Sequence, residues 1–204
     1  MNTLIKRLMM AGVATTLVLP LAGRASDGTI TFTGAVTAST CTLSVNGAAN
    51  AGTATVALPT VDTASLSASG AATSTAAGTF FSIGVSGCEP ASDLGAPAPT
   101  GAAPTHVQIY FEAGPTVDQG TGGLINTTGV GYSNVEVKLY NASGSTVVGT
   151  QIMPGTGTNQ PTQLLISTGG TQWFYAGYAT TGAGAAGATA GAVNTQVTYS
   201  LIYD

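Results

Sequence analysis

Very few residues in this chain could do covalent or metal chemistry, and their spacing argues against most of it. There is one histidine, His106, with no second histidine, cysteine or carboxylate group near it in sequence at metal-ligand spacing. It stands at the start of an alternating segment beside a Pro-rich stretch, which places a histidine on a surface or strand edge and not in a general-base role. Glu112, Asp118 and Glu136 are the acids that could form a glycosidase-type pair. They are scattered across turns and strands with only Tyr110 beside them, so the expectation is solvated carboxylates. Serine and threonine are abundant, but a nucleophile needs a base to activate it, and no GxSxG elbow is present. Trp173, Phe174, Tyr175 and Tyr178 could stack on a sugar, although core aromatics of a penultimate strand is the favoured reading. The expectation is no catalytic site, no metal and no cofactor.

The two cysteines, Cys41 and Cys88, are the remaining reactive groups. Their meaning depends on compartment. Residues 1–25 have a basic start (Lys6, Arg7), an apolar run from Leu8 to Leu21 and small residues at Gly23 and Ala25, the layout of a secretory signal peptide cleaved after Ala25. The apolar run is shorter than the roughly 20 residues a spanning helix needs. An exported even pair of cysteines reads as one disulfide, Cys41–Cys88, worth roughly 4 kcal/mol by loop-closure entropy.

Removing the leader also changes the charge balance. Lys6, Arg7 and Arg24 leave with it, so Lys138 alone faces all eight acids of the chain. Nucleic acid is excluded as a partner, because phosphate binding needs clustered bases. Charged residues make up only 6% of the chain, which for a soluble surface suggests uncharged polar cover or cover by a partner.

The elements that would position these residues repeat with period two. Ile30 and Phe32, then Val36, open the series. Val56 and Leu58 follow, then Phe81, Ile83 and Val85, then Val107, Ile109 and Phe111. Val135, Val137 and Leu139 continue it, and Val197, Tyr199, Leu201 and Tyr203 close it. Such segments put one face on a core and the other toward solvent. Ser65 to Gly78, Pro90 to Pro104 and Thr181 to Gly191 are rich in small and polar residues and read as loops. No amphipathic helix is expected. Seven or so short strands with one bridge predict an all-β, immunoglobulin-like sandwich, with an antiparallel barrel as the alternative. Asn126-Thr127-Thr128 and Asn141-Ala142-Ser143 match a glycosylation acceptor pattern and read as ordinary turn residues.

Both ends of the chain carry a resemblance. Gly28-Thr29-Ile30-Thr31-Phe32-Thr33-Gly34, followed by Thr40-Cys41, resembles the amino-terminal extension and first-strand cysteine of chaperone–usher fimbrial (type 1 pilus-like) major subunits. Phe174 to Gly182 and the closing Tyr199-Ser200-Leu201-Ile202-Tyr203-Asp204 resemble that family's carboxy-terminal signature, and Cys88 follows an alternating strand as in the family. The loop from Pro90 to Pro104 is richer in Ala and Pro than the family pattern.

The resemblance implies a pilin fold, an incomplete immunoglobulin-like sandwich lacking its last strand and completed by a donor strand from a neighbouring subunit. It divides the chain into a signal peptide (1–25), a donor-strand extension (26–34) and a pilin domain (35–204). It implies Gly28, Ile30, Phe32 and Gly34 as the donor face, and Val197, Tyr199, Leu201 and Tyr203 as the groove edge that a chaperone also uses. Tyr203 and Asp204 would sit where the chaperone's basic cleft anchors the carboxylate. The implied partners are identical subunits, a periplasmic chaperone and an outer-membrane usher, with a host receptor met only indirectly. The implied destination is the cell-surface fimbrium, reached through the periplasm. A minor or adaptor subunit, a tip adhesin and a secreted carbohydrate-binding module are the alternatives.

Overall fold

The structure is a computed structural model. It describes residues 40–49, 53–66, 77–89, 104–128, 134–181 and 188–204. These all lie in one compact unit, Ala35–Asp204. The leader 1–25 and the extension 26–34, with Gly28, Ile30, Phe32 and Gly34, lie outside the described residues.

Ten strands run in chain order: β1 (Thr40–Val45), β2 (Ala48–Ala49), β3 (Gly78–Glu89), β4 (His106–Phe111), β5 (Leu124–Ile125), β6 (Val135–Ser143), β7 (Thr146–Gln151), β8 (Leu164–Leu165), β9 (Gly170–Thr180) and β10 (Tyr199–Tyr203). The one helical element among the described residues is a 3-10 turn, Thr63–Ser65. The strands form two antiparallel sheets. One has seven strands in the order β2-β1-β3-β9-β6-β5, with β7 also on β6; the other has three, β10-β4-β8.

The period-two pattern is realised as inward faces. Along β4 the residues alternate between half-buried and buried, so that Val107, Ile109 and Phe111 point into the sandwich. Phe81, Ile83 and Val85 of β3, Val137 and Leu139 of β6, and Phe174 and Ala176 of β9 meet them in one cluster. Phe174 is fully buried at its centre, with Phe81 at 5.3 Å on the neighbouring strand and Phe111 edge-on at 5.2 Å from the opposite sheet. Packing of this kind is worth more than buried area alone, because edge-to-face rings add about 0.5–1.5 kcal/mol.

The disulfide joins Cys41 and Cys88 across the paired strands β1 and β3, closing a sequence separation of 47 residues with the Cα atoms 4.0 Å apart. Gly169 stands at the turn into β9 with φ +60, and an added Cβ would run into the Val85 carbonyl, so only glycine lets the two backbones meet there.

Three expectations are corrected. Val56 and Leu58 pack half-buried against the core, but their segment joins neither sheet. It is held by side chains instead of a ladder: Thr79 Oγ1 donates to Ala57 O at 2.8 Å, and the Tyr178 hydroxyl donates to Pro59 O at 3.1 Å. Pro59 has no N–H to offer a ladder. Trp173, expected among the core aromatics, lies on the face of β9 opposite Phe174 and is 40% exposed, whereas Tyr175 on that same face is buried with the Phe80 and Tyr140 rings beside it.

Glu136 is the third and sharpest correction. It is 1% exposed and not solvated. It occupies the polar slot between Val135 and Val137 on β6, but a hairpin from Thr116 to Asn126 lies over that slot. Thr121 Oγ1 donates to Glu136 Oε2 at 3.1 Å, and Lys138 Nζ stands 3.3 Å from Oε1. A Cβ at Gly123 would collide with the carboxylate, so glycine is what allows the hairpin backbone to come this close.

Candidate strand-accepting edge

The three-stranded sheet ends at β10, and among the described residues no strand pairs with its far side. Which backbone groups face that far side follows from the pairing with β4. Glu112 N donates to Thr198 O at 2.8 Å, while Asp204 and His106 exchange both bonds at 2.9 Å. Residues opposite one another in an antiparallel pair alternate between bonded and non-bonded pairs. Thr198, Ser200, Ile202 and Asp204 therefore aim their N–H and C=O at β4, and Tyr199, Leu201 and Tyr203 aim theirs outward.

The same phase continues upstream of the strand. Asn194 receives Thr127 N on its carbonyl at 2.8 Å and gives its N–H to Asn126 Oδ1 at 2.9 Å. Thr116 Oγ1 donates to Gln196 O at 2.7 Å. The even-numbered residues are thus tied inward from Ala192 to Asp204, and the odd-numbered ones from Val193 to Tyr203 present the far edge. Exposure confirms the phase: Val193, Thr195, Val197, Tyr199, Leu201 and Tyr203 are half-buried, and Asn194, Gln196, Thr198 and Ile202 are exposed.

The odd side chains lean on the core without being covered. Val193, Val197, Tyr199, Leu201 and Tyr203 all touch the main cluster, yet no residue of β10 is buried, whereas its neighbour β4 buries every second one. The result is a long apolar strip along a sheet edge. Burial raises the Tyr199 hydroxyl above the ordinary tyrosine range, as it does at Tyr178. At the Val193 end the strip runs into a cavity of about 330 Å³ walled by Leu58, Pro59, Val61, Leu66 and Tyr178. Two acids flank the strip: Glu112 accepts from Ser200 Oγ at 2.5 Å, and Asp204 Oδ2 accepts from Gln163 Nε2 at 2.9 Å.

The opposite edge of the sheet is treated differently. β8 covers only the start of β4, pairing with His106 and Val107. Beyond it the Gln160 carboxamide substitutes for a strand: Oε1 accepts from Phe111 N at 3.0 Å, and Nε2 donates to Phe111 O at 3.1 Å and to Thr156 O at 2.9 Å. Exposed edges invite pairing with other chains, and this one is capped.

Of the groove-edge residues expected from sequence, the structure brings Val197, Tyr199, Leu201 and Tyr203 into one row, although Val197 precedes the strand proper. His106 begins β4 half-buried, with Nδ1 2.8 Å from Thr105 Oγ1. Glu112, Asp118 and Glu136 are used separately: Asp118 Oδ1 caps Gly120 N at 2.8 Å, Glu112 meets Ser200, and Glu136 is sealed under the hairpin. Asn126, Thr116 and Gln160 are the residues that sequence reasoning missed. Asn126 sits in a glycosylation-like triplet but is 4% exposed, with its amide already engaged, and no periodicity flags it.

The fold is an all-β sandwich of two antiparallel sheets, the smaller of which has one edge capped by side chains and one long apolar edge that no strand covers among the described residues. The comparisons make the class specific. Residues 30–204 match the family model for fimbrial protein, and the chain belongs to that family. It is 35% identical over 179 residues to the F17 fimbrial protein of Escherichia coli, covering 88% of each chain. It is 33% identical over 194 residues to the major fimbrial subunit SMF-1 of Stenotrophomonas maltophilia (strain K279a), covering 91% of this chain and 97% of that one. A solved chaperone–usher pilus structure shares the fold with a TM-score of 0.51 at 19% identity, over 91% of this chain and 100% of that one.

Proposed function

We propose that this chain is a structural subunit of a surface fimbria that polymerises by donor-strand exchange, the segment Ser26–Gly34 of one copy pairing with the Val193–Tyr203 edge of the next. The observation that carries this reading is the phase of that edge: the same odd-numbered residues offer backbone groups outward and apolar side chains to the core. An incoming strand that alternates apolar and polar residues satisfies both at once. Gly28, Ile30, Phe32 and Gly34 alternate in that way with Thr29, Thr31 and Thr33. Full burial of Ile30 and Phe32 would contribute about 3–6 kcal/mol before pairing and ordering costs.

An edge of this kind is an aggregation hazard until it is filled, so export requires a periplasmic chaperone that occupies the edge and hands the subunit to an outer-membrane usher. The acids Glu112 and Asp204 beside the strip suit a basic anchor on such a chaperone. The shaft role is favoured by the likeness to a major subunit, and the protein acts by assembly and not by catalysis. Deletion of Ser26 to Thr33 tests the reading. The truncated chain is expected to fold and co-purify with its chaperone but to form no fibres; a truncated chain that cannot fold would instead make this segment an ordinary first strand.

A further inference from the structure

The accepting edge is longer than the strand that names it. β10 spans 5 residues, while the proposed donor Ser26–Gly34 is longer, so β10 alone would leave much of it without a ladder. The added length comes from the stretch Ala192–Thr198, which has left β4 behind and has no neighbouring strand among the described residues. We propose that Asn126 positions the leading half of the accepting edge, acting as a one-residue substitute for a strand. This inference rests on the donor-strand reading above and adds to it a named positioning residue and the length of the edge.

The geometry is that of a ladder rung. Asn126 Nδ2 donates to Ala192 O at 3.0 Å, and Oδ1 accepts from Asn194 N at 2.9 Å. One group bonded to the carbonyl of residue i and the amide of residue i+2 is what a residue of a parallel strand does with its own N–H and C=O. Fixing 192 and 194 on the inward side fixes the N–H and C=O of Val193 on the outward side. Thr127 and Thr116 extend the clip along the chain through Asn194 O and Gln196 O.

Asn126 can do this because it is held on its own side. The hairpin that carries it is closed by Ile125 N to Thr116 O at 2.7 Å and by the Val117–Leu124 bridge, and Leu124 and Val117 are core residues. Asn126 Oδ1 also accepts from Thr128 N at 3.1 Å, which sets the carboxamide plane. The side chain is 4% exposed, so water does not compete for these bonds.

Amide hydrogen exchange on assembled full-length fibres tests the proposal, comparing parent, Asn126→Ala and Thr116→Val. In parent fibres the amides of Val193, Thr195 and Val197 are expected to be protected together with those of Leu201 and Tyr203. In Asn126→Ala fibres exchange at Val193, Thr195 and Val197 should accelerate on the order of tenfold to a hundredfold, with Leu201 and Tyr203 changing little. Thr116→Val, which removes only the Gln196 contact, should give the same effect weakly and near Val197. If Asn126→Ala does not assemble, Thr116→Val and Thr127→Val carry the test alone. Unchanged protection at 193–197 in the variants, or uniform loss along the whole edge, would overturn the positioning role. Parent fibres in which Leu201 and Tyr203 are also unprotected would instead defeat the donor-strand reading itself.

Discussion

Replacing Lys138 with methionine keeps the length of the side chain and removes its charge, leaving the Glu136 carboxylate buried at 1% exposure with one neutral donor, Thr121 Oγ1 at 3.1 Å. Oε1 loses its partner outright, since among the described residues the Lys138 ammonium at 3.3 Å is the one group that neutralises it. Breaking a buried ion pair from one side costs about 3–5 kcal/mol, whereas replacing both members with apolar residues of similar size is close to neutral. Lys138 is 14% exposed, so water replaces part of what is lost and the low end, about 3 kcal/mol, is expected. Against a typical total stability of about 5–15 kcal/mol, this is a large share. Urea unfolding of the parent, Lys138→Met and the double variant Lys138→Met/Glu136→Leu reads it directly, because the chain has one tryptophan, Trp173, as its fluorophore. With an ordinary urea slope the single variant should shift the midpoint down by about 1–3 M, and the double variant should recover most of that. A single variant within about 1 kcal/mol of the parent, or a double variant as unstable as the single one, would refute the reasoning.

Phe174→Ala should destabilise the sandwich by about 3–5 kcal/mol through loss of the ring that joins both sheets, measured in the same unfolding experiment. Gln160→Ala uncaps the second edge of the small sheet; it should cost about 1–3 kcal/mol and raise lateral aggregation, read by light scattering at fixed concentration. Tyr140, Tyr175, Tyr178 and Tyr199 all have hydroxyls raised above the ordinary value of 10.0 chiefly by burial, Tyr140 with help from the Glu136 charge. A folded-state value above the unfolded one means that their contribution to stability is complete below about pH 10 and is lost as pH climbs through the folded-state values. The share of phenolate absorbance that these four of the seven tyrosines contribute should therefore rise together with unfolding in alkali, and ionisation of all seven in a still-folded chain would contradict this.

The parts of the fold legible in the sequence are those where one face of a strand meets the core. Phe81-Ile83-Val85, Val107-Ile109-Phe111 and Val137-Leu139 announce themselves because burial on one side imposes a two-residue period. The row Val197-Tyr199-Leu201-Tyr203 is equally legible, and so is the Cys41–Cys88 bridge. What the pattern cannot carry is the contribution of distant chain. Glu136 looks like any outward polar residue until the hairpin at Thr121 to Gly123 is laid over it. Asn126 looks like a turn residue until Ala192 and Asn194 arrive from 66 and 68 positions away. Gln160 caps Phe111 from 49 positions away. Each is a side-chain amide or carboxylate whose role is set by one long-range contact, and such contacts leave no period behind.

Lys138 has a consequence beyond stability. Past Arg24 it is the one lysine or arginine in the sequence, and it lies in β6, a strand laddered to β9 along one side and to β5 and β7 along the other, with its side chain only 14% exposed. Beyond Arg24, digestive enzymes that cut after basic residues therefore find a single scissile bond, and it lies in a strand paired on both sides, where a protease cleft cannot lift it out. With the leader 1–25 removed, as the sequence predicts, a filament made of such units would offer trypsin-like activities almost nothing to cut and amine-seeking reagents little to label beyond Lys138 and the new first nitrogen.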